Sequence, residues 1–124
     1  MKKDKEYYIE KYVELCGSLC KVAEDYTRAK VRKHNRAMKQ LISMEKELRE
    51  DVALEKEVYA ALLSSGDECV RQTAAGCCLK CNLHIERAVE VLEEIRSKGE
   101  RMAAMGAEFA LGVWRGEIDP RKPV

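Results

Sequence analysis

Proline and glycine, the residues that interrupt helices most strongly, are scarce in this chain. Its 124 residues include two prolines, both within the last five positions, and seven glycines. Strand signals are nearly absent as well. Since 46% of the residues are hydrophobic and 36% are charged, the composition predicts a folded chain of long helices rather than a disordered segment.

Long apolar runs are also missing. No window approaches eighteen consecutive apolar residues, so we expect no membrane-spanning helix and no membrane partner. The N-terminal Met-Lys-Lys-Asp-Lys leads directly into Glu6 to Glu10, which lacks the apolar stretch and cleavage site of a secretory signal. We therefore expect a cytoplasmic protein whose six cysteines are reduced thiols rather than a disulfide framework.

Catalytic signatures are missing too. The sequence contains no Gly-rich phosphate loop, no His-Glu-x-x-His pair and no Gly-x-Ser-x-Gly elbow. His34 and His84 have no nucleophile and carboxylate at motif spacing, and the Glu-x-x-His pairs of di-iron bundles are absent. These absences predict a protein that is not an enzyme and that needs no cofactor.

Apolar residues recur every three or four positions in the first half of the chain, as they do on the buried face of a helix. One series runs from Tyr8 to Tyr26 and a second from Val31 to Leu48. Neither Gly nor Pro separates them, but Asp25 or Thr27 is a candidate N-cap. We predict two antiparallel helices, because the apolar stripe of one long rod would find no partner in so small a domain.

The second half of the chain continues the helical periodicity. A third helix ends at Ser64-Ser65-Gly66, Asp67 caps a fourth, residues 82–84 interrupt the chain, and a fifth ends at Lys98-Gly99. The predicted inward residues of the sixth helix, from about Glu100 to Trp114, are Met102, Met105, Phe109 and Val113, with Phe109 and Trp114 as core anchors. The sequence thus predicts about six helices in one all-α domain, 1–124, with a short extended tail from about residue 117.

A motif at the start of the fourth helix adds to this prediction. Asp67-x-x-Val70-Arg71-x-x-Ala74-Ala75 resembles the Asp-x-x-Val-Arg-x-x-Ala-Ala signature of HEAT-like repeats. Asp67 can cap the helix and face Arg71, Val70 can enter the core, and Ala74 permits close helix packing. The proline that often follows the capping Asp is Glu68 here.

The resemblance extends to Ala88 to Ile95 and to the last helix, where Ala107-Glu108 and Trp114 match the pattern of a small bacterial HEAT-like helical-repeat family of unassigned function. It implies an α-α superhelix of antiparallel helical hairpins. Similar folds usually act as recognition surfaces, and some small HEAT-like bacterial proteins are immunity proteins that neutralise a partner toxin. The resemblance therefore implies a non-catalytic module that binds another protein, with immunity to a toxin as one specific case.

Two charged stripes are candidate partner-binding surfaces. The first 50 residues carry 13 basic and 9 acidic side chains, whereas the remaining residues carry 10 and 13. The basic stripe lies on the second helix and the acidic stripe on the fifth; they consist of Arg28, Arg32, Arg36 and Lys39, and of Glu86, Glu90, Glu93 and Glu94. Solvated helix faces are the simpler explanation for both, while the pair also fits head-to-tail self-association.

Two alternatives stay open. Cys78-x-x-Cys81-x-x-His84, with Cys77 beside it, has zinc-ligand residue types and suggests a metal- or redox-responsive protein, although a second Cys-x-x-Cys is missing. We favour buried thiols on a helix stripe and no metal. Nucleic-acid binding through the basic stripe is disfavoured, since the formal net charge is only +1 and no aromatic residues interleave the stripe.

Overall fold

In the computed structural model, every regular element of the described residues is a helix. The structure describes residues 4–20 and 28–117, apart from the side chains of residues 18–20, 28–31 and 101–102. Within these ranges there is no strand. The all-α prediction is therefore confirmed.

Six helices span the described part of the chain. They are α1 (Lys5–Cys20), α2 (Arg28–Arg49), α3 (Val52–Leu63), α4 (Glu68–Cys81), α5 (Ile85–Lys98) and α6 (Arg101–Trp114). The predicted cap at Asp25 or Thr27 and the tail beyond residue 117 lie outside the described residues.

The chain forms two compact units, Met1–Ala61 and Leu62–Val124. In the first unit α1 packs against α2. The Tyr8 hydroxyl, near the start of α1, donates a hydrogen bond to Glu47 Oε2, near the end of α2, at 3.2 Å. This contact shows that the two helices run antiparallel, as predicted, and are not one rod.

The core of the first unit is aromatic as well as aliphatic. Tyr12 is fully buried, and its ring meets that of Tyr59 edge to face, with centroids 6.0 Å apart and planes at 83°. Such an arrangement places the positive ring edge against the negative ring face. The other buried side chains of α1 and α2 are Tyr8, Leu15, Cys16, Ala37, Leu41, Met44 and Leu48.

In the second unit α4, α5 and α6 pack against one another. Small residues let these helices pack closely. Four alanines are fully buried in this unit: Ala74, Ala75, Ala88 and Ala107. Larger side chains fill the space around them: Val70, Val91, Leu92, Ile95 and Leu111. The core of this unit therefore combines large aliphatic side chains with alanines.

Side-chain hydrogen bonds fix the start of α4. Asp67 Oδ1 accepts from the backbone N–H groups of Cys69 at 2.9 Å and Val70 at 3.3 Å, which makes Asp67 the N-cap. We predicted that Arg71 would face Asp67. Its Nη1 instead donates a hydrogen bond to the Ser65 carbonyl oxygen at 2.8 Å. The guanidinium thus stabilises the turn before α4.

The interruption between α4 and α5 contains two residues with left-handed backbone. Asn82 has φ 56° and His84 has φ 44°, and asparagine is among the residues that adopt this conformation most readily. The N–H of Leu83 donates to the Cys78 carbonyl oxygen at 2.9 Å, while the Leu83 side chain is buried. The chain therefore reverses direction without leaving the core.

The predicted inward face of α6 is wrong at Met105 and Phe109, whereas Val113 is half-buried and the Met102 side chain lies outside the described residues. Met105 and Phe109 are 57% and 52% exposed, Trp114 is also exposed, and the buried residues include Ala107 and Leu111 instead. A Cβ placed on Gly106 would lie 2.9 Å from Gln72 Nε2, so α6 approaches α4 through its small residues. Met105 and Phe109 lie on the outer side of α6, and neither Phe109 nor Trp114 is a core anchor.

Candidate functional site

The outward side of α2 carries a basic face, which we define as Arg32, Arg36 and Lys39. All three side chains are exposed. At 3.6 residues per turn they lie within an arc of about 60°, on the side opposite the buried Ala37 and Leu41. Arg28 shares this arc by its position in the helix, but its side chain is not described.

No described residue forms a hydrogen bond or ion pair with the side chains of the basic face. The first turn of α2 contains no acidic residue that could compensate the positive end of the helix dipole. Arg32 and Arg36 are also one turn apart, where like charges repel by about 0.2–0.5 kcal/mol. The basic face therefore weakens α2 slightly and is not explained by the stability of the helix.

Two exposed apolar side chains lie on the side of α2 that borders Lys39, away from Arg36. Met38 is 38% exposed and Ile42 is 45% exposed, and they are one helical turn apart. Both belong to the apolar series from Val31 to Leu48 that predicted α2. The buried side chains of α2, however, include Ala37 and Leu41, each of which directly precedes one of this pair in the sequence. The result is an exposed apolar pair that borders the Lys39 edge of the basic face.

The acidic stripe of α5 is in part an internal structure. Glu93 accepts from Arg115 Nη2 at 2.7 Å and from Arg96 Nη2 at 2.6 Å. These hydrogen bonds, first from Arg115 and then from Arg96, lower the pKa of the Glu93 carboxyl. Glu90 lies 3.4 Å from Arg87. Part of the predicted negative charge is thus neutralised, and Glu93 ties α5 to the end of α6, whereas Glu86 and Glu94 are exposed.

The cysteine cluster does not assemble a metal site within the described part of the chain. No three His, Cys, Asp or Glu side chains there are arranged to hold a metal ion. Cys77 and Cys78 are buried, Cys81 is half-buried, and His84 is exposed where α5 begins. The metal-responsive alternative therefore has no geometric support from these residues.

One expectation about the cysteines is wrong. Cys69 is disulfide-bonded, although we predicted that all six cysteines would be thiols. The four other cysteines whose side chains are described are thiols that form no disulfide: Cys16, Cys77, Cys78 and Cys81. The expectation came from the compartment inferred for the chain, not from the positions of the sulfur atoms.

A second candidate site, the α1–α2 groove, is an open cleft of about 330 Å³ in the first unit. Its floor consists of Leu15 and Met44, which are both buried. Its polar walls come from the exposed sides of the two helices: Tyr7, Lys11, Gln40, Ser43 and Glu47. The groove thus combines an apolar base with one cation and one anion.

Tyr8 holds the Glu47 carboxylate at one end of this groove. Burial raises the pKa of the Tyr8 hydroxyl, and the charge and hydrogen bond of Glu47 raise it further. Tyr8 therefore remains a protonated donor to Glu47 at neutral pH. The ring of Tyr7 lies 5.4 Å from that of Tyr8, edge to face, and lines the same groove.

Sequence reasoning missed this groove. Tyr7 and Lys11 are one turn apart on α1, and Ser43 and Glu47 are one turn apart on α2, so each pair lies beside a buried stripe. That signal was visible in the sequence. The antiparallel register, which sets the α1 pair opposite the α2 pair, was not.

Comparison of the chain with protein-family profiles, with curated proteins and with solved structures finds no match. The HEAT-like resemblance and the superhelical arrangement therefore stay predictions. No described helix combines the length and apolarity needed to cross a membrane.

Proposed function

We propose that this protein is a non-catalytic binding module that recognises an acidic surface of another protein through the basic face of α2. One observation carries the proposal: Arg32, Arg36 and Lys39 are exposed and unpaired among the described residues, and an exposed apolar pair, Met38 and Ile42, borders the Lys39 edge of this face. A charged surface that slightly weakens its own helix is typical of a site kept for binding. Arginine and methionine are also enriched in protein interfaces.

The apolar pair favours a protein over a nucleic acid. Met38 and Ile42 match the apolar centre of a protein interface, whereas a phosphate backbone offers them nothing to pack against. α2 contains no Phe, Tyr or Trp on which a base could stack. If the protein is an immunity protein, as the HEAT-like resemblance implies, the partner is a toxin with an acidic surface.

The test is affinity capture from the native cell followed by direct binding measurements. The wild-type protein is compared with Arg32→Glu/Arg36→Glu, with Met38→Asp and with the control Lys80→Glu, which reverses an exposed charge on α4. A protein captured by the wild type is then purified and titrated calorimetrically. We expect the double reversal and Met38→Asp each to weaken binding at least tenfold, and the control to leave it nearly unchanged.

Two results would contradict the proposal. Binding that is unaffected by both the double reversal and Met38→Asp would exclude this face of α2 as the interface. Capture that is abolished by nuclease would identify a nucleic acid as the ligand. Circular dichroism at 222 nm checks that each variant retains its helices.

A further inference from the structure

We propose that the chain also binds a second copy of itself, with the basic face of α2 in one copy against an acidic face of α5 in the next. We define this acidic face as Glu86, Glu90 and Glu94, the members of the acidic stripe apart from Glu93. Such self-association rests on the proposed function, because it uses the same binding face of α2 and would regulate access to that face.

The acidic face lies on the solvent side of α5. At 3.6 residues per turn its three glutamates fall within an arc of about 80°, on the side opposite the buried Leu92, and all three are exposed. Glu86 and Glu94 form no hydrogen bond or ion pair with any described residue. Glu90 lies 3.4 Å from Arg87 in an exposed pair of the kind that contributes little to stability. These charges are therefore accessible to a second molecule.

The two faces match in the number and spacing of their charges. A helix rises 1.5 Å per residue, so the basic face from Arg32 to Lys39 extends about 10.5 Å along α2. The acidic face from Glu86 to Glu94 extends about 12 Å along α5, and the remaining charge of each face lies near its middle. Helices laid side by side on these faces bring three cations against three anions. Two of the cations are arginines, which bind carboxylates through paired hydrogen bonds.

The charge distribution of the whole chain also permits self-association. The formal net charge is only +1, so two copies repel each other little. Locally the charges are strongly segregated: residues 28–40 contain six basic residues and no acidic one, whereas residues 83–95 contain four acidic residues and one basic residue. Encounter between two copies is therefore governed by the attraction between these two segments.

The contact joins two different surfaces, and this determines its consequences. Each copy in a pair keeps one free basic face and one free acidic face, so further copies can add unless a ring closes. A basic face that is covered by α5 of a second copy is not available to another protein. Self-association therefore lowers the fraction of free binding sites as the protein concentration rises.

The test is sedimentation velocity of the wild-type protein over a range from micromolar to millimolar concentration. At about 0.01 M salt, where the Debye length is about 30 Å, we expect the weight-average sedimentation coefficient to rise with protein concentration. At about 1 M salt, where the Debye length is about 3 Å, we expect the value for a single copy at every concentration.

Charge exchange locates the contact. Arg32→Glu/Arg36→Glu and Glu86→Lys/Glu94→Lys should each weaken self-association at least tenfold at low salt, because like charges then meet. One chain that carries all four substitutions has the net charge of the wild type and again has opposite charges on the two faces. This exchanged chain should associate, and so should an equimolar mixture of the two double variants.

A matched control separates local charge from net charge. Glu10→Lys/Glu57→Lys changes the net charge as much as Glu86→Lys/Glu94→Lys does, but at exposed positions on α1 and α3. The control should therefore self-associate at least tenfold more strongly than Glu86→Lys/Glu94→Lys. Far-ultraviolet circular dichroism checks that every variant keeps its helices.

Four results would overturn the proposal. They are a wild type that stays a single copy at low salt, association that persists at about 1 M salt, equal association of the control and Glu86→Lys/Glu94→Lys, and no association of either the exchanged chain or the mixture with their helices intact. Association that survives in both double variants would instead point to exposed apolar side chains such as Met105 and Phe109, and would also exclude the charged faces.

Self-association and binding of another protein can fail independently. Glu86→Lys/Glu94→Lys leaves α2 unchanged, so it should bind a captured partner protein at least as tightly as the wild type does. Arg32→Glu/Arg36→Glu should lose both contacts. A wild type that never self-associates but binds its partner through α2 would overturn only the self-association.

Discussion

Replacement of Gly99 by alanine should destabilise the second unit. Gly99 has φ −77° and ψ 171°, a conformation that any residue adopts, so its backbone does not require glycine. The surroundings do, because a Cβ there would lie 2.6 Å from the Ile95 carbonyl oxygen and 2.6 Å from Glu68 Oε1. The Ile95 oxygen cannot withdraw easily, since it accepts the Gly99 N–H at 2.8 Å.

The size of the effect follows from three contributions. Over-packing against fixed atoms costs about 1–3 kcal/mol. Displacement of Glu68 would also break its 2.8 Å hydrogen bond from the Glu100 N–H at the start of α6, a loss of about 1 kcal/mol. Alanine has less conformational freedom than glycine in the unfolded chain, and this difference stabilises the folded variant by about 0.4–1 kcal/mol. We expect Gly99→Ala to lower the free energy of unfolding by about 1–3 kcal/mol.

Urea denaturation followed by circular dichroism measures this change. The matched control is Gly76→Ala, because Gly76 lies within α4 and a Cβ there meets nothing within 4 Å. This control should raise stability by up to about 1 kcal/mol through helix propensity alone. In a Glu68→Ala background one obstacle is gone, so Gly99→Ala should cost about 0.5–1 kcal/mol less. A Gly99→Ala protein as stable as the wild type would refute the reasoning.

Three further predictions concern the second unit. Because hydrogen bonds from Arg115 and Arg96 lower the pKa of Glu93, Glu93 stabilises the fold above its ordinary pKa of 4.5. Glu93→Gln should therefore lower the melting temperature at pH 7, and its deficit should shrink as the pH falls below 4.5. Leu111→Ala should cost about 2–5 kcal/mol of unfolding free energy, whereas Phe109→Ala, at a half-exposed position, should cost less than about 1 kcal/mol. Asp67→Ala should cost about 1 kcal/mol through loss of the α4 cap, and equal stability would exclude a capping role.

Local signals predicted the helices well. Asp67 and Asn82 bound α4 because a capping carboxylate and a residue tolerant of left-handed backbone act within a few positions. The inward face of α6 was mispredicted because hydrophobicity favoured Met105 and Phe109, whereas the helix packs through Gly106 and Ala107. Large side chains at these positions would hold α6 further from its neighbours, so small residues form its packing face.

The candidate sites, too, could be predicted from the sequence only in part. The charges of the basic face could be predicted from helical spacing, since Arg32, Arg36 and Lys39 share an arc whatever packs elsewhere. The absence of ion-pair partners for these side chains among the described residues could not be predicted, because a partner can come from any part of the chain. The α1–α2 groove depends on which residues of two helices lie opposite each other, and periodicity within one helix contains no such information.

The unpaired cations of α2 also make the protein responsive to ionic strength in two opposite ways. Added salt screens the repulsion between Arg32 and Arg36, and so favours the isolated helix. For the acidic partner that we propose, the same screening would weaken the attraction to α2. In a cell that accumulates salt, a larger fraction of the protein would then be without its partner, and helix α2 of that fraction would be more stable.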